Sequence, residues 1–487
     1  MKKYNLEIIV LFSGAVVMIL ELVGSRILAP TLGTSLFIWT SLIGVILGSL
    51  SIGYWQGGKL ADRNPNYKIL FGILVISSIL IGAIGICHEQ ILEVTQKIFS
   101  DLRFNSFASA LILFALPNIF LGMVSPYAAK LKLIDLKASG QTVGNLYALS
   151  TVGSILGTFS AGFWLIPFFG ITKILIGLAF GTFALALIIV PKLNLKTNLF
   201  LSLTLILLFS SLVVCQKQKN NLIETYYSTV KIFEAKDQST LRPVRILATG
   251  PRGAQSAIFI DNDLVATYTK FYRLADYFNP GPQNTLMIGG GAFTYPRDFL
   301  ARHPESKIDV VEIDPMMTKI AKKYFNFQED SRLKITNEDG RLFLNQNKKQ
   351  YNTILIDAFN SLTPPYNLTT IESVKEMNQS LDDHGIVIVN MVSALTGDNG
   401  KFAQAEYKTF SQVFPQVFVF LPTGLVPNPT GLQNIMLVAT KTNQKYSFHS
   451  DDINQNILLR SLWQEKIPDA PVLTDNLAPV EYYLRNI

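Results

Sequence analysis

The stretch TLMIGGGAFTYPRDFL, Thr285–Leu300, decides the fold of this chain. A short apolar run suited to a strand meets three consecutive glycines, Gly289, Gly290 and Gly291, and an amphipathic segment suited to a helix follows. Where a strand turns on glycines into a helix, the backbone can approach a ligand because no Cβ stands in the way. The next apolar run, in VVEID, reaches Glu312 about twenty residues beyond the glycines, the spacing of a nucleoside fingerprint in which a strand-end acid accepts both ribose hydroxyls.

Further along, LKITNED, TILIDAF and GIVIVNMVS continue the alternation of apolar strands with amphipathic helical stretches. That pattern predicts a mainly parallel sheet with helices on both faces, an α/β Rossmann-like methyltransferase-type domain over residues 276–487. Ligands of such sheets gather at the carboxyl ends of the strands. Glu312, Asp339, Asp357 and Asn390 all fall at or just past such ends, and Gly340 follows Asp339 directly. Any one of these acids, taken alone, is better explained as the cap of a helix or turn. Their joint placement at one sheet edge is what points to a site.

Upstream, STVKIFEA, VRILATG and SAIFID are short alternating segments separated by turn residues, which predicts a small antiparallel β domain over residues 218–275. The first 217 residues read as a polytopic α-helical membrane domain. Apolar runs cover about Glu7–Ile27, Ser35–Trp55, Ile69–Cys87, Phe107–Ala128, Leu146–Phe169, Ile171–Val190 and Leu199–Val214. Each is near the length that crosses a hydrocarbon core of roughly 30 Å. The implied location is a cell (inner) membrane, with the lipid bilayer as a partner. An odd number of spans beginning inside places the second half outside, whereas a cytosolic nucleoside cosubstrate requires the inside. The sequence leaves that conflict standing.

Charge divides the same way. The first 217 residues carry 15 Lys+Arg against 7 Asp+Glu and the remainder 27 against 28, so the overall +7 resolves into +8 and −1. The basic excess thus belongs to loops that orient membrane helices and gives no sign of nucleic-acid binding. Glu21 stands within the first run, either as a polar contact in the membrane or as a partner of Arg26. Gly44, Gly48, Gly53 and Gly57 recur at near-helical spacing and suit close helix packing. Pro117 and Pro126 suggest a kink in the fourth run. Cys87 and Cys215 lack pairing or metal-ligand spacing, and the four histidines form no ligand motif, so no metal site is expected. The turn GGGAF also lacks the serine of a hydrolase elbow.

The segments GGGAFTYPRDFL, IDVVEIDPMMTKIAKKYF, EDGRLFL and YNTILIDAFNSLTPPYNLTT, in that order, resemble the spermidine synthase (polyamine aminopropyltransferase) family. LFSGAVVMILELVGSRILAPTLG, NLYALSTVGSILGTFSAGFWLIPFFG and LTDNLAPVEYY extend the resemblance to its membrane-fused bacterial branch. The resemblance implies a transferase that takes S-adenosylmethionine or its decarboxylated form as cosubstrate and an amine as acceptor. Glu312 matches the ribose-holding acid, Asp339 the acid near the adenine amino group, and Gln255 the early glutamine that contacts the nucleoside. Asp357 matches the catalytic aspartate and Tyr272 the tyrosine lining the amine pocket. Tyr366, in a loop with Pro364 and Pro365, either covers the acceptor pocket or belongs to a rigid connection.

Three positions depart from that pattern. An aspartate after the glycine turn is Ala292, a second aspartate past the catalytic one is Asn360, and the residue after the tyrosine is Arg273. Losing two carboxylates and adding a cation weakens the attraction for a diamine, which makes putrescine a doubtful acceptor. Three readings stay open: an S-adenosyl-dependent transferase of aminopropyl or methyl groups, a transporter with a nucleoside-sensing domain, and a scaffold with a decayed site. Self-association as a homo-oligomer is also left open.

Overall fold

The computed structural model describes all residues except 1–4, 34, 100, 134–138, 190–221, 226, 238–239, 250–253, 260–263, 282–283, 360–363, 423–427 and 485–487, and only the backbone at 254–255. The chain forms two compact units, Met1–Thr229 and Val230–Ile487.

In the first unit the apolar runs are helices: α1 (Asn5–Leu32), α2 (Leu36–Arg63), α3 (Tyr67–Ile98), α4 (Leu102–Lys132), α5 (Ser139–Ser160) and α6 (Ile171–Ile188). A π-helical turn, Ala161–Leu165, carries α5 on to Phe168. These six are long and apolar enough to cross a membrane. The seventh run, Leu199–Val214, and Cys215 lie outside the described residues. Helix α4 continues through Pro117 and Pro126, so neither ends it.

Small residues set how closely these helices approach. A Cβ at Gly53 or Gly57 of α2 would strike the α4 backbone at Ile119, Gly122 or Met123, whereas Gly44 and Gly48 face open space. Two of the four spaced glycines therefore serve packing, and the spacing alone does not distinguish them. Gly153 and Gly157 do the same for α5 against Leu11 and Ala15 of α1. On α1, Glu7 pairs with Lys132, 2.5 Å apart, and Glu21 is half-buried farther along the helix.

The first unit ends near a short strand, β1 (Leu222–Glu224). In the second unit β2 (Thr229–Lys236), β3 (Pro243–Ala248) and β4 (Ala254–Phe259) pair antiparallel, as the alternation predicted. The large sheet contains β5 (Asn284–Ile288), β6 (Lys307–Val311), β7 (Leu333–Thr336), β8 (Tyr351–Ile356), β9 (Leu381–Ser393), β10 (Gln416–Phe420) and β11 (Gln433–Thr440). Its order is β10-β11-β9-β8-β5-β6-β7. Strands β9-β8-β5-β6-β7 run parallel, while β11 pairs antiparallel with both β9 and β10.

The chain lays β6 and β7 on one side of β5 and then returns to place β8 and β9 on the other. The strand order therefore reverses between β5 and β8, which opens a crevice at their carboxyl ends. Apolar clusters cover both faces of this sheet: Ile288, Ile356, Val389 and Phe402 on one, and Met287, Leu355, Ile388 and Phe299 on the other. That two-sided burial explains why the central strands read as continuous apolar runs.

Candidate active site

The glycine turn and Asp357 meet at the reversal point. The Asp357 N–H donates to the Ile288 carbonyl at 2.8 Å, and the Gly289 N–H to the Val311 carbonyl at 2.8 Å. Gly289 has φ +94°, and a Cβ there would collide with the Asp357 carbonyl. Only glycine fits both the dihedral and the space.

Glu312 holds the turn from the other side. Its Oε2 accepts the N–H groups of Gly290 (2.8 Å) and Gly291 (3.1 Å), and its Oε1 accepts the Asp314 N–H (2.9 Å). Burial pushes this carboxyl above its ordinary value, and the three backbone donors work against that rise. The turn continues into Phe293, in the left-handed region at φ +56°, whose buried ring packs 4.7 Å from that of Phe327. The Ala292 N–H donates to Ser256 Oγ at 3.1 Å, so β4 lies against the turn.

Asp339 caps the helix Gly340–Gln346: its Oδ1 accepts from the N–H groups of Arg341 (2.9 Å) and Leu342 (3.1 Å). A Cβ on Gly340 would press on Ile288, so this glycine lets the helix sit close to β5. Gln255 lies on β4 with only its backbone described, and Asn360 falls outside the described residues. Tyr366 starts a short 3-10 turn and is exposed. The chain near it is braced from the C-terminal LTDN segment, where Asp475 takes Thr370 Oγ1 at 2.6 Å and Arg341 at 3.1 Å.

Asp357 is half-buried, reachable yet packed round by protein. Burial pushes its carboxyl up to about 6, while the hydrogen bond from Asn390 and the neighbouring Tyr272 hydroxyl pull it down. Asn390 Nδ2 donates to Asp357 Oδ1 at 2.9 Å, and Asn434 Nδ2 donates to Asn390 Oδ1 at 2.9 Å. The Tyr272 hydroxyl donates to the Ile356 carbonyl at 3.2 Å beside that carboxyl. Tyr268 and Tyr295 extend an aromatic wall, with ring centroids 6.5 Å and 5.1 Å from that of Tyr272. Burial, then the Asp357 charge, raises the Tyr268 and Tyr272 phenols well above their usual range. Both stay neutral donors. An acid near 6 between neutral tyrosines and an amide can take a proton at neutral pH.

One expectation needs correcting. The sequence reading has Arg273 add a cation that weakens the attraction for a diamine. Its guanidinium instead holds Asp298 through two bonds of 2.6 Å and 3.2 Å, and Arg302 shares that carboxylate at 3.0 Å. Its charge is offset by an acid 25 residues later in the chain. Ser256, Asp298 and Asn434 were not legible as site neighbours, because each partner comes from a different element. Among the described residues no cluster suited to a metal ion occurs.

The family described as spermine/spermidine synthase domain matches residues 270–449. A polyamine aminopropyltransferase of Vibrio vulnificus is 27% identical over 275 residues, which cover 53% of this chain and 88% of that protein. The polyamine aminopropyltransferase of Clostridioides difficile is 29% identical over 169 residues, 32% of this chain and 59% of its own. The solved structure described as "a probable spermidine synthase from Corynebacterium glutamicum" is 21% identical, covers 51% of this chain and 88% of that one, and superposes with a TM-score of 0.42. The family match takes in Tyr272 and all seven strands of the large sheet, so residues 270–449 form a spermidine synthase-like domain, and that domain together with relatives named polyamine aminopropyltransferase indicates a transferase.

Proposed function

We propose that the second unit moves an aminopropyl group from decarboxylated S-adenosylmethionine to an amine. The observation that carries this reading is the meeting of Asp357 with the glycine turn at the strand-order reversal. One backbone corner thereby joins a place for a nucleoside to a place for a base. Glu312 receives the ribose and Asp339 faces the adenine, while Tyr272 and Tyr268 line the path of the acceptor. The amine nitrogen attacks the methylene next to the sulfonium. That carbon–sulfur bond breaks with its electron pair going to sulfur, methylthioadenosine leaves neutral, and Asp357 takes the proton lost by nitrogen. Attack at a carbon activated by a sulfonium otherwise needs chiefly alignment, which a bound donor and a fixed carboxylate supply.

The first unit is proposed to embed in a lipid bilayer. Supporting this, α5 and the π-helical turn that follows it expose Ile155, Leu156, Phe159, Phe163 and Trp164, a surface suited to lipid and costly in water. The second unit is assigned to the cytoplasmic side, where an S-adenosyl donor is made. Residues 218–275 are proposed as a small β domain of their own between the membrane domain and residues 276–487.

Calorimetric titration of the detergent-purified full chain tests the donor. Decarboxylated S-adenosylmethionine is expected to bind more tightly than S-adenosylmethionine; the reverse order would replace aminopropyl by methyl transfer, and binding of neither would remove the transfer reading. In the same titration Glu312→Ala is expected to weaken donor binding by about 1–3 kcal/mol, because a charged acceptor is lost and three backbone donors lose their partner. Wild-type affinity in this variant would exclude Glu312 from the donor site.

A further inference from the structure

Asn434 reaches the site from β11, the strand that pairs antiparallel with β9. In the β9–β11 ladder Asn390 stands opposite Met436 and Asn434 opposite Val392, so the two asparagines are diagonal neighbours on one face. Their amides point the same way: Asn434 donates to the Asn390 oxygen, and the Asn390 nitrogen donates to Asp357. A side-chain amide has one accepting and one donating end. With its oxygen engaged by Asn434, Asn390 has only its nitrogen to offer Asp357. Turned over, its oxygen would face the carboxylate and favour the protonated acid instead.

We propose that Asn434 is a positioning residue for Asp357, locking the Asn390 amide so that the carboxyl is kept as a hydrogen-bond acceptor. The link to turnover rests on the reading of Asp357 as the base; the locking does not. Among the described residues, the groups facing Asp357 from other elements are the phenols of Tyr268 and Tyr272, both neutral over the range that matters, and the uncharged Asn390. Among the described residues, no second charged side chain competes with the amide pair in setting its protonation.

The test uses the full chain in detergent and a reaction that needs no substrate. Dicyclohexylcarbodiimide modifies protonated carboxyls, and peptide mass spectrometry reads the extent at Asp357 as pH is varied. Asn434→Leu is expected to raise the midpoint by about half to one pH unit, since the stabilising donor is no longer fixed. Asn390→Leu should raise it similarly, and the double variant should move no further than Asn390→Leu alone. An unchanged midpoint in Asn434→Leu, or full additivity of the two shifts, would overturn the proposal. Should Asn434→Leu fail to fold, the near-isosteric Asn434→Asp serves: its upward shift is expected to be larger with Asn390 present than in the Asn390→Leu background, and equal shifts would overturn the proposal. Methylthioadenosine release, measured in parallel with decarboxylated S-adenosylmethionine and putrescine or butylamine, separates the two readings. A labelling midpoint that moves while turnover keeps its pH profile supports the locking and removes Asp357 as the base; a midpoint that moves with no turnover of either amine supports the locking alone.

Discussion

Asp357→Asn is expected to bind decarboxylated S-adenosylmethionine as the wild type does and to lose at least about a hundredfold in methylthioadenosine release, the lower range for removal of a general base. Asparagine keeps the shape of the side chain and removes the proton acceptor. The pH dependence follows in sign from the carboxyl's position near 6. A base must be ionised, so wild-type kcat/KM should be level above that pH and fall about tenfold per unit below it. The variant's residual rate should lack that limb. A wild-type profile that stays flat from about pH 7 down to about pH 5 would take Asp357 out of the proton transfer.

Gly289→Ala is the second large effect. Its φ of +94° is strained for any L side chain, and the added methyl would meet the Asp357 carbonyl oxygen. The conformational cost of about 1–2 kcal/mol and an overpacking cost of about 1–3 kcal/mol act together, so a loss of at least about 2 kcal/mol is expected. Because the obstructed atom belongs to Asp357, donor binding and turnover should fail together. Gly281→Ala is the control: it also has a positive φ, +73°, yet nothing lies within 4 Å of its Cβ position. Thermal unfolding of the full chain should show a much larger drop for Gly289→Ala than for Gly281→Ala. Equal melting of the two would mean that the close approach at Gly289 has no energetic weight.

The parts of this protein legible in its sequence are those whose cause is local. Gly289, Gly290, Gly291 and Glu312 could be placed because a strand, its turn and the next strand end lie within one short span of chain. The parallel strands announced themselves by alternating with helices. Strands β10 and β11 did not, since they pair antiparallel with no helix among the described residues between them. Gly53 and Gly44 look alike in sequence and differ only in where α4 crosses α2. Arg273 looked like a free cation because its partner, Asp298, is supplied by the helix after the glycine turn. Asn434 was silent for the same reason: its meaning comes from a diagonal across β9 and β11. The resemblance to the synthases named Asp357 and Tyr272, but it carried no information about the amides that hold the aspartate.

If Glu312 receives the ribose as proposed, the way it is held bears on which hydroxyl it prefers. A carboxylate presents about four lone-pair positions, and three here are directed to the N–H groups of Gly290, Gly291 and Asp314. Room for one strong additional bond is left, so a vicinal diol cannot be gripped symmetrically by this acid. Of the two hydroxyls on a bound ribose, one should dominate, and the 2′-deoxy and 3′-deoxy analogues of the same nucleoside should bind unequally.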